Sequence, residues 1–196
     1  AFHTFCVFSR FLMTKNAAAA ATVNRTADFM LSTAVNQAKA AASGKHGVAA
    51  FSAAGGSNLR YNTGSSVQGN GFNLAVGVAK AFDGLTLGVA GEYATTDFRS
   101  HAGGISAQGE NALYGGALLL DWQGKGGWHM EGAVRMGRVS SEYNGLLNTK
   151  DDAAYQGVTI GAGKSVTLSD STAMDLYARY MFSYTAGSMA KGEGAG

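Results

Sequence analysis

The chain has 196 residues, with 15 Lys and Arg against 13 Asp and Glu, and a formal charge of +2. Charged residues make up 14% of it, against roughly 25% in ordinary soluble proteins, while hydrophobic content is an unexceptional 46%. So small a positive charge argues against a nucleic-acid partner, and the absence of any run near the ~18 apolar residues of a spanning helix argues against a helical membrane protein. The 29 glycines follow no Gly-X-Y period, which excludes collagen. Proline is absent, as suits long uninterrupted ladders. Cys6 stands alone, so neither a disulfide framework nor zinc spacing is present.

Residues 1–15 are rich in aromatics, with Arg10 and Lys15 interspersed. A signal peptide places its positive charge first and an unbroken apolar core after it; this segment does not, and it stays unassigned. Residues 16–44 read as an Ala-rich linker helix, since alanine is the best helix former and Gly44 is a natural stop. Such a helix is roughly 40 Å long. Val23, Ala27, Met30, Ala34, Ala38 and Ala41 form a thin stripe, with Asn24, Arg25, Asp28, Asn36, Gln37 and Lys39 on the other faces. It suits either a surface linker or a slim rod threaded through a polar lumen.

From residue 45 the pattern changes to period two. A weak first strand covers about Gly47–Ala54. The clearest stretch follows, with Phe72, Leu74, Val76, Val78 and Phe82 on one face and Asn73, Ala75, Gly77, Ala79 and Ala81 on the other. Asp83-Gly84 makes a two-residue hairpin turn. Leu85, Leu87, Val89 and Tyr93 then oppose Thr86, Gly88, Ala90, Glu92, Ala94 and Thr96. A broad apolar face backed by a small, scarcely charged one is the alternation of a membrane barrel strand. Further strands are predicted over about Asn111–Trp122, Trp128–Val139, Tyr155–Leu168 and Met174–Tyr184, seven in all. Short connections (Asp83-Gly84, Gln123–Gly127, Ser169–Ser171) alternate with longer polar ones (Gly55–Gln68, Arg99–Gln108, Ser141–Ala153). That is the rhythm of periplasmic turns and external loops. Tyr93, Phe98, Tyr114, Trp122, Trp128, Tyr143 and Tyr184 near the strand ends suit interfacial girdles.

On these residues the chain resembles the C-terminal translocator domain of bacterial autotransporters, the type V secretion systems. The resemblance runs over about residues 16–185. It rests on the Ala-rich helix, then Tyr61–Lys80, Leu85–Phe98, Ala112–Trp122, Glu131–Asn144 and Met174–Phe182 in order. It implies an antiparallel up-and-down transmembrane β-barrel entered by a helix through its lumen, in the outer membrane of a Gram-negative bacterium. There it supports export of an N-terminal passenger. The implied partners are outer-membrane lipid, the chain's own passenger and the outer-membrane assembly machinery. The family's barrel has twelve strands, so about seven imply an incomplete barrel and a truncated fragment. The alternative is another outer-membrane β-barrel, a porin-like channel or a loop-presenting adhesin; a soluble lipocalin-type barrel is a third reading.

Motifs for catalysis are weak. Gly161-Ala-Gly-Lys-Ser165 lacks the upstream glycine of a phosphate loop, since Val158 holds that position, and a strand continues through it. His129-x-Glu131 has no further ligands at metal spacing, and no Gly-x-Ser-x-Gly elbow occurs. No catalytic, cofactor or metal residue is therefore assigned, and an enzyme is not expected. Asparagine cyclisation in the helix, a property of some autotransporters, has only Asn24 and Asn36 as candidates, in the wrong sequence context. The informative charges share the inward parity: Glu92, Glu131, Arg135, Asp175 and Arg179, with Arg25 and Asp28 on the helix as candidate partners. Buried charges need such partners.

Overall fold

The computed structural model describes residues 18–44, 46–62, 66–102, 105–144, 149–169 and 172–186. The segments at 1–15 and 187–196 lie outside them. A helix, α1, covers residues 18–42 and contains a π-helical turn at Met30–Ala34. It ends where Ser43 becomes extended and donates its N–H to the Lys39 carbonyl at 2.9 Å. Seven strands follow: β1 Ala49–Asn62, β2 Ser66–Phe82, β3 Leu85–Ala102, β4 Ile105–Gln123, β5 Trp128–Asn144, β6 Thr149–Ser169 and β7 Thr172–Thr185. They form one antiparallel sheet in chain order, and β1 and β7 have no second partner among the described residues, so the sheet is open.

The strands outrun their predicted limits. Most of the polar connections expected at Gly55–Gln68, Arg99–Gln108 and Ser141–Ala153 are paired strand, for example Arg60 opposite Gln68 and Glu142 opposite Lys150. The apolar alternation stops near Phe72, Tyr93, Tyr114 and Met136, but the backbone ladder does not need it. Main-chain hydrogen bonds satisfy those residues equally well with polar side chains. The turn at Asp83-Gly84 is as expected, with positive φ at Gly84 alone (82°).

The pleat places most large apolar residues outside and lines the middle of the inner face mainly with small ones. Val76, Val89, Leu118, Met136, Tyr180 and Phe182 are all more than half exposed, while Ala75, Ala79, Ala90, Ala117 and Ala133 are buried. Outward apolar sets on β2 to β7 run over about nine to eleven residues each. Their ends are in register, with Tyr93 opposite Tyr114 at one limit and Leu85 opposite Trp122 at the other.

The inner face is covered by α1. Its Phe29 ring lies against Gly55 of β1, and Asp28 pairs with Arg179 of β7. Seven flat strands span roughly 29 Å and a helix only about 10 Å. Contact with both edge strands therefore requires the sheet to curl around the helix. Met30, Leu31, Ala34, Val35 and Ala38 pack on Phe51, Ala53, Ala75, Ala79, Ala90, Ala117 and Leu119. The buried face is wider than the predicted stripe, because Phe29, Met30 and Leu31 are consecutive and all buried. This happens just where the π turn begins.

Two girdle assignments are corrected. Phe98 and Tyr143 are 2% and 1% exposed. They meet edge-to-face with ring centroids 4.9 Å apart and pack on Ala18 and Ala21 of α1. Their parity explains this: Phe98 shares the pleat of Ala94 and Thr96, and Tyr143 that of Arg135 and Val139, so both point inward. Tyr93, Tyr114, Trp122, Trp128 and Tyr184 are exposed on the outer face.

The two faces give opposite mutational expectations. Met30→Ala, at a site with no exposure, should cost about 2–5 kcal/mol in a denaturant melt. Met136→Ala, at a site 65% exposed, should change stability in detergent by less than about 0.5 kcal/mol.

Candidate functional site

The inner face holds α1 through polar contacts from four strands. Near the helix start, Asn111 Nδ2 of β4 donates to Thr22 Oγ1 at 3.1 Å. One turn on, Thr26 Oγ1 lies 3.2 Å from Asn73 Oδ1 of β2. Both hydroxyls also reach the carbonyl four residues back, at 3.1 Å for Thr22 and 2.9 Å for Thr26. At the far end Lys39 Nζ stands 3.4 Å from Asp121 of β4.

The most buried element is a Glu92–Arg135–Tyr155 cluster joining β3, β5 and β6. Arg135 Nε donates to Glu92 Oε2 at 2.8 Å, with both side chains at 1% exposure or less. Arg135 Nη1 donates to the Val23 carbonyl of α1 at 3.1 Å, and the Tyr155 hydroxyl donates to the other Glu92 oxygen. The guanidinium also lies 5.4 Å from the Tyr155 ring centroid. Tyr155 reaches across the sheet because Gly115 and Gly137 leave room; a Cβ on either would strike its hydroxyl.

A second cluster lies toward β7. Arg179 pairs with Asp28 of α1 and stands 3.4 Å from Glu131 of β5. The Tyr177 hydroxyl donates to Glu131, and Ser183 donates to Asn24 of α1. His129 stacks on the Tyr177 ring at 5.9 Å and stands 3.6 Å from Asp175. These β5 and β7 side chains meet over β6 because its inward positions there are Gly161 and Gly163. A Cβ would collide with Tyr177 at the first and His129 at the second.

Of the predicted residues, Glu92 and Arg135 meet in the first cluster, and Glu131, Arg179 and Asp28 in the second. Two departures occur. Asp175 faces His129 and Ser165 rather than the helix; Ser165 is its direct cross-strand neighbour. Arg25 makes no ion pair among the described residues; it lies on the helix between contact positions Thr22 and Thr26 and points elsewhere. Thr22, Thr26, Asn73, Asn111, Asp121 and Tyr155 were not anticipated as helix contacts. The Thr22/Thr26 spacing of one helical turn, matched to asparagines at inward strand parity, was the available signal.

Chemically, the arrangement grips a helix. Ser165 donates to Asp175 at 3.3 Å and His129 stands 3.6 Å from the same carboxylate, so the acid, and not the imidazole, is the serine's hydrogen-bond partner. Gly161–Ser165 lies within β6, its backbone paired with β5 and β7. No group of three or more His, Cys, Asp or Glu among the described residues is placed to hold a metal. At the sheet end away from the short turns, a cleft of about 910 Å³ is lined by Asn58, Arg60, Asp97, Arg99, Glu110 and Glu142, among others. Asp97, Glu110 and Glu142 are direct cross-strand neighbours there. Lys150 bonds Glu142 at 2.5 Å, and that bond and the negative charge push its ammonium above the ordinary lysine value.

No protein-family model matches the chain, and no curated protein matches it in sequence.

Glu92→Gln and Arg135→Met should each cost about 3–5 kcal/mol, since each strands a buried charge. The double variant should cost clearly less than the two together. A double-mutant cycle by reversible denaturation checks this, and additive costs would mean that the pair is not coupled.

Proposed function

We propose that the chain is the membrane-embedded part of an outer-membrane translocator, which supports export of a passenger joined to the N-terminal side of α1. The observation that carries this reading is a pairing of opposites on one sheet. An apolar belt of about the height of a hydrocarbon core covers the outside, and a polar-gripped helix lies along the inside. A soluble barrel puts most of its large apolar side chains in the centre. Here Val76, Val89, Leu118, Met136, Tyr180 and Phe182 stand outside, and the centre is a helix set against alanines with a few larger groups such as Phe51 and Leu119. The open edges of β1 and β7 require further strand partners for closure, because a lipid-exposed edge leaves backbone groups unsatisfied.

The passenger reading over the channel reading rests on α1. A helix tied to β2, β4, β5 and β7 fills the space a porin-like pore keeps open. An N-terminal chain joined to it is then positioned to lie along the interior. The resemblance to autotransporter translocators supports the same assignment.

Two measurements test it. Val76→Arg, near the middle of the belt, should destabilise the protein in bilayers by about 2–4 kcal/mol, against ~0–1 kcal/mol for Thr95→Arg at its margin. Equal costs would oppose a lipid-facing belt. A reporter domain joined ahead of residue 1, expressed in a Gram-negative host within a closed barrel, should become accessible to external protease. A reporter retained inside the cell would overturn the export assignment.

A further inference from the structure

The outward face carries different charges at the two margins of the belt. At the margin away from the short turns the charges are mixed, with Asp97, Glu110 and Glu142 near Arg99, Arg138 and Lys150. At the short-turn margin, Lys80, Lys125 and Lys164 face Asp83 alone among the described residues. Asp121, Glu131 and Asp175 at that end lie on the inward parity.

The lysines stand with aromatic rings. Trp122 lies near the end of β4 and Trp128 begins β5, with the turn Lys125–Gly127 between them. They are the protein's two tryptophans, 38% and 52% exposed. Lys164 is the direct cross-strand neighbour of Trp128, and its Nζ lies 5.1 Å from that ring's centroid. On β2, Lys80 repeats the arrangement at 5.0 Å from Phe82. A lysine on the lipid-facing parity is costly in hydrocarbon, and its long stem places the ammonium at the headgroups. Indole rings favour the same depth.

We propose that Trp122, Lys125, Trp128 and Lys164 form a seat for the phosphate of an anionic phospholipid in the leaflet facing the short turns. The proposal rests on the membrane reading above. The two ammonium groups supply the charge complement, and the indoles flank the glycerol and upper acyl region. At the opposite margin carboxylates alternate with cations, as where Lys150 pairs with Glu142, and no cationic pair among the described residues stands clear of acids.

Because both tryptophans lie in the seat, their fluorescence reads its occupancy. The chain, joined to strands that close the barrel and bring no further tryptophan, is folded into phosphatidylcholine vesicles containing a small fraction of lipid with brominated acyl chains, either phosphatidylcholine or phosphatidylglycerol. Brominated phosphatidylcholine should quench the emission, which tests insertion. Brominated phosphatidylglycerol should quench at a lower mole fraction, by about fivefold per lysine engaged. Lys125→Gln with Lys164→Gln should abolish that preference while quenching by phosphatidylcholine persists, and Lys150→Gln should leave the preference intact. Equal quenching by the two lipids in the unmodified protein would overturn the seat and leave the membrane reading standing. No quenching by either would overturn both.

Discussion

Close approach between α1 and the inner face is the constraint on which the rest of the structure depends. Ala75, Ala79, Ala90, Ala117 and Ala133 give the sheet a thin inner surface, and Ala34, Ala38 and Ala42 give the helix a thin outer one. Small residues on both sides allow a narrow sheet to curl around a rod without a wide core between them. The same pleat sends the alternate large residues from Phe72 to Phe82 on β2 and from Leu85 to Tyr93 on β3 outward. The larger inward groups, Phe51, Phe98, Leu113, Leu119, Tyr143 and Tyr155, pack among the alanines or beside the helix. An apolar exterior is thus the geometric counterpart of a small-residue interior, and on the proposed reading lipid is the solvent that stabilises it.

Within that narrow space the polar contacts provide register. Dispersion between alanines is nearly indifferent to a shift of the helix along its axis, whereas the bond from Arg135 to the Val23 carbonyl is not. Burying the guanidinium is tolerable because Glu92 neutralises it and Tyr155 completes the carboxylate's bonding. The cluster therefore specifies position more than it adds stability, the role for which buried ion pairs are best attested.

Much of this arrangement was legible in period-two alternation. Phe72 through Phe82 and Leu85 through Tyr93 declare their outward and inward sets residue by residue, and the seven strands follow. What alternation does not register is backbone pairing without a hydrophobic reason. Residues such as Arg60, Arg99 and Glu142 look like loop and are strand. Phe98 and Tyr143 mislead for a related reason, since proximity to a strand end suggests a girdle while parity decides the direction. Glu92, Arg135 and Arg179 could be placed on the inner face from parity and Asp28 on the helix as a candidate partner, but which charge meets which could not. Beyond the π turn at Met30–Ala34 the helix faces the sheet at a shifted angle, with Lys39 on Asp121, and helical periodicity counted at 3.6 residues does not contain that shift.

The bonds from α1 to β7 have a kinetic consequence. Asp28 and Arg179 are separated by 151 positions, and Asn24 and Ser183 by 159. By contrast, each hairpin of the sheet pairs near neighbours and nucleates locally. Loop closure over such distances is entropically expensive until the intervening strands shorten it. α1, which precedes every strand of the sheet, is therefore fully clasped only when β7 arrives, and the intermediate sheet must wait with its inner groove part-lined.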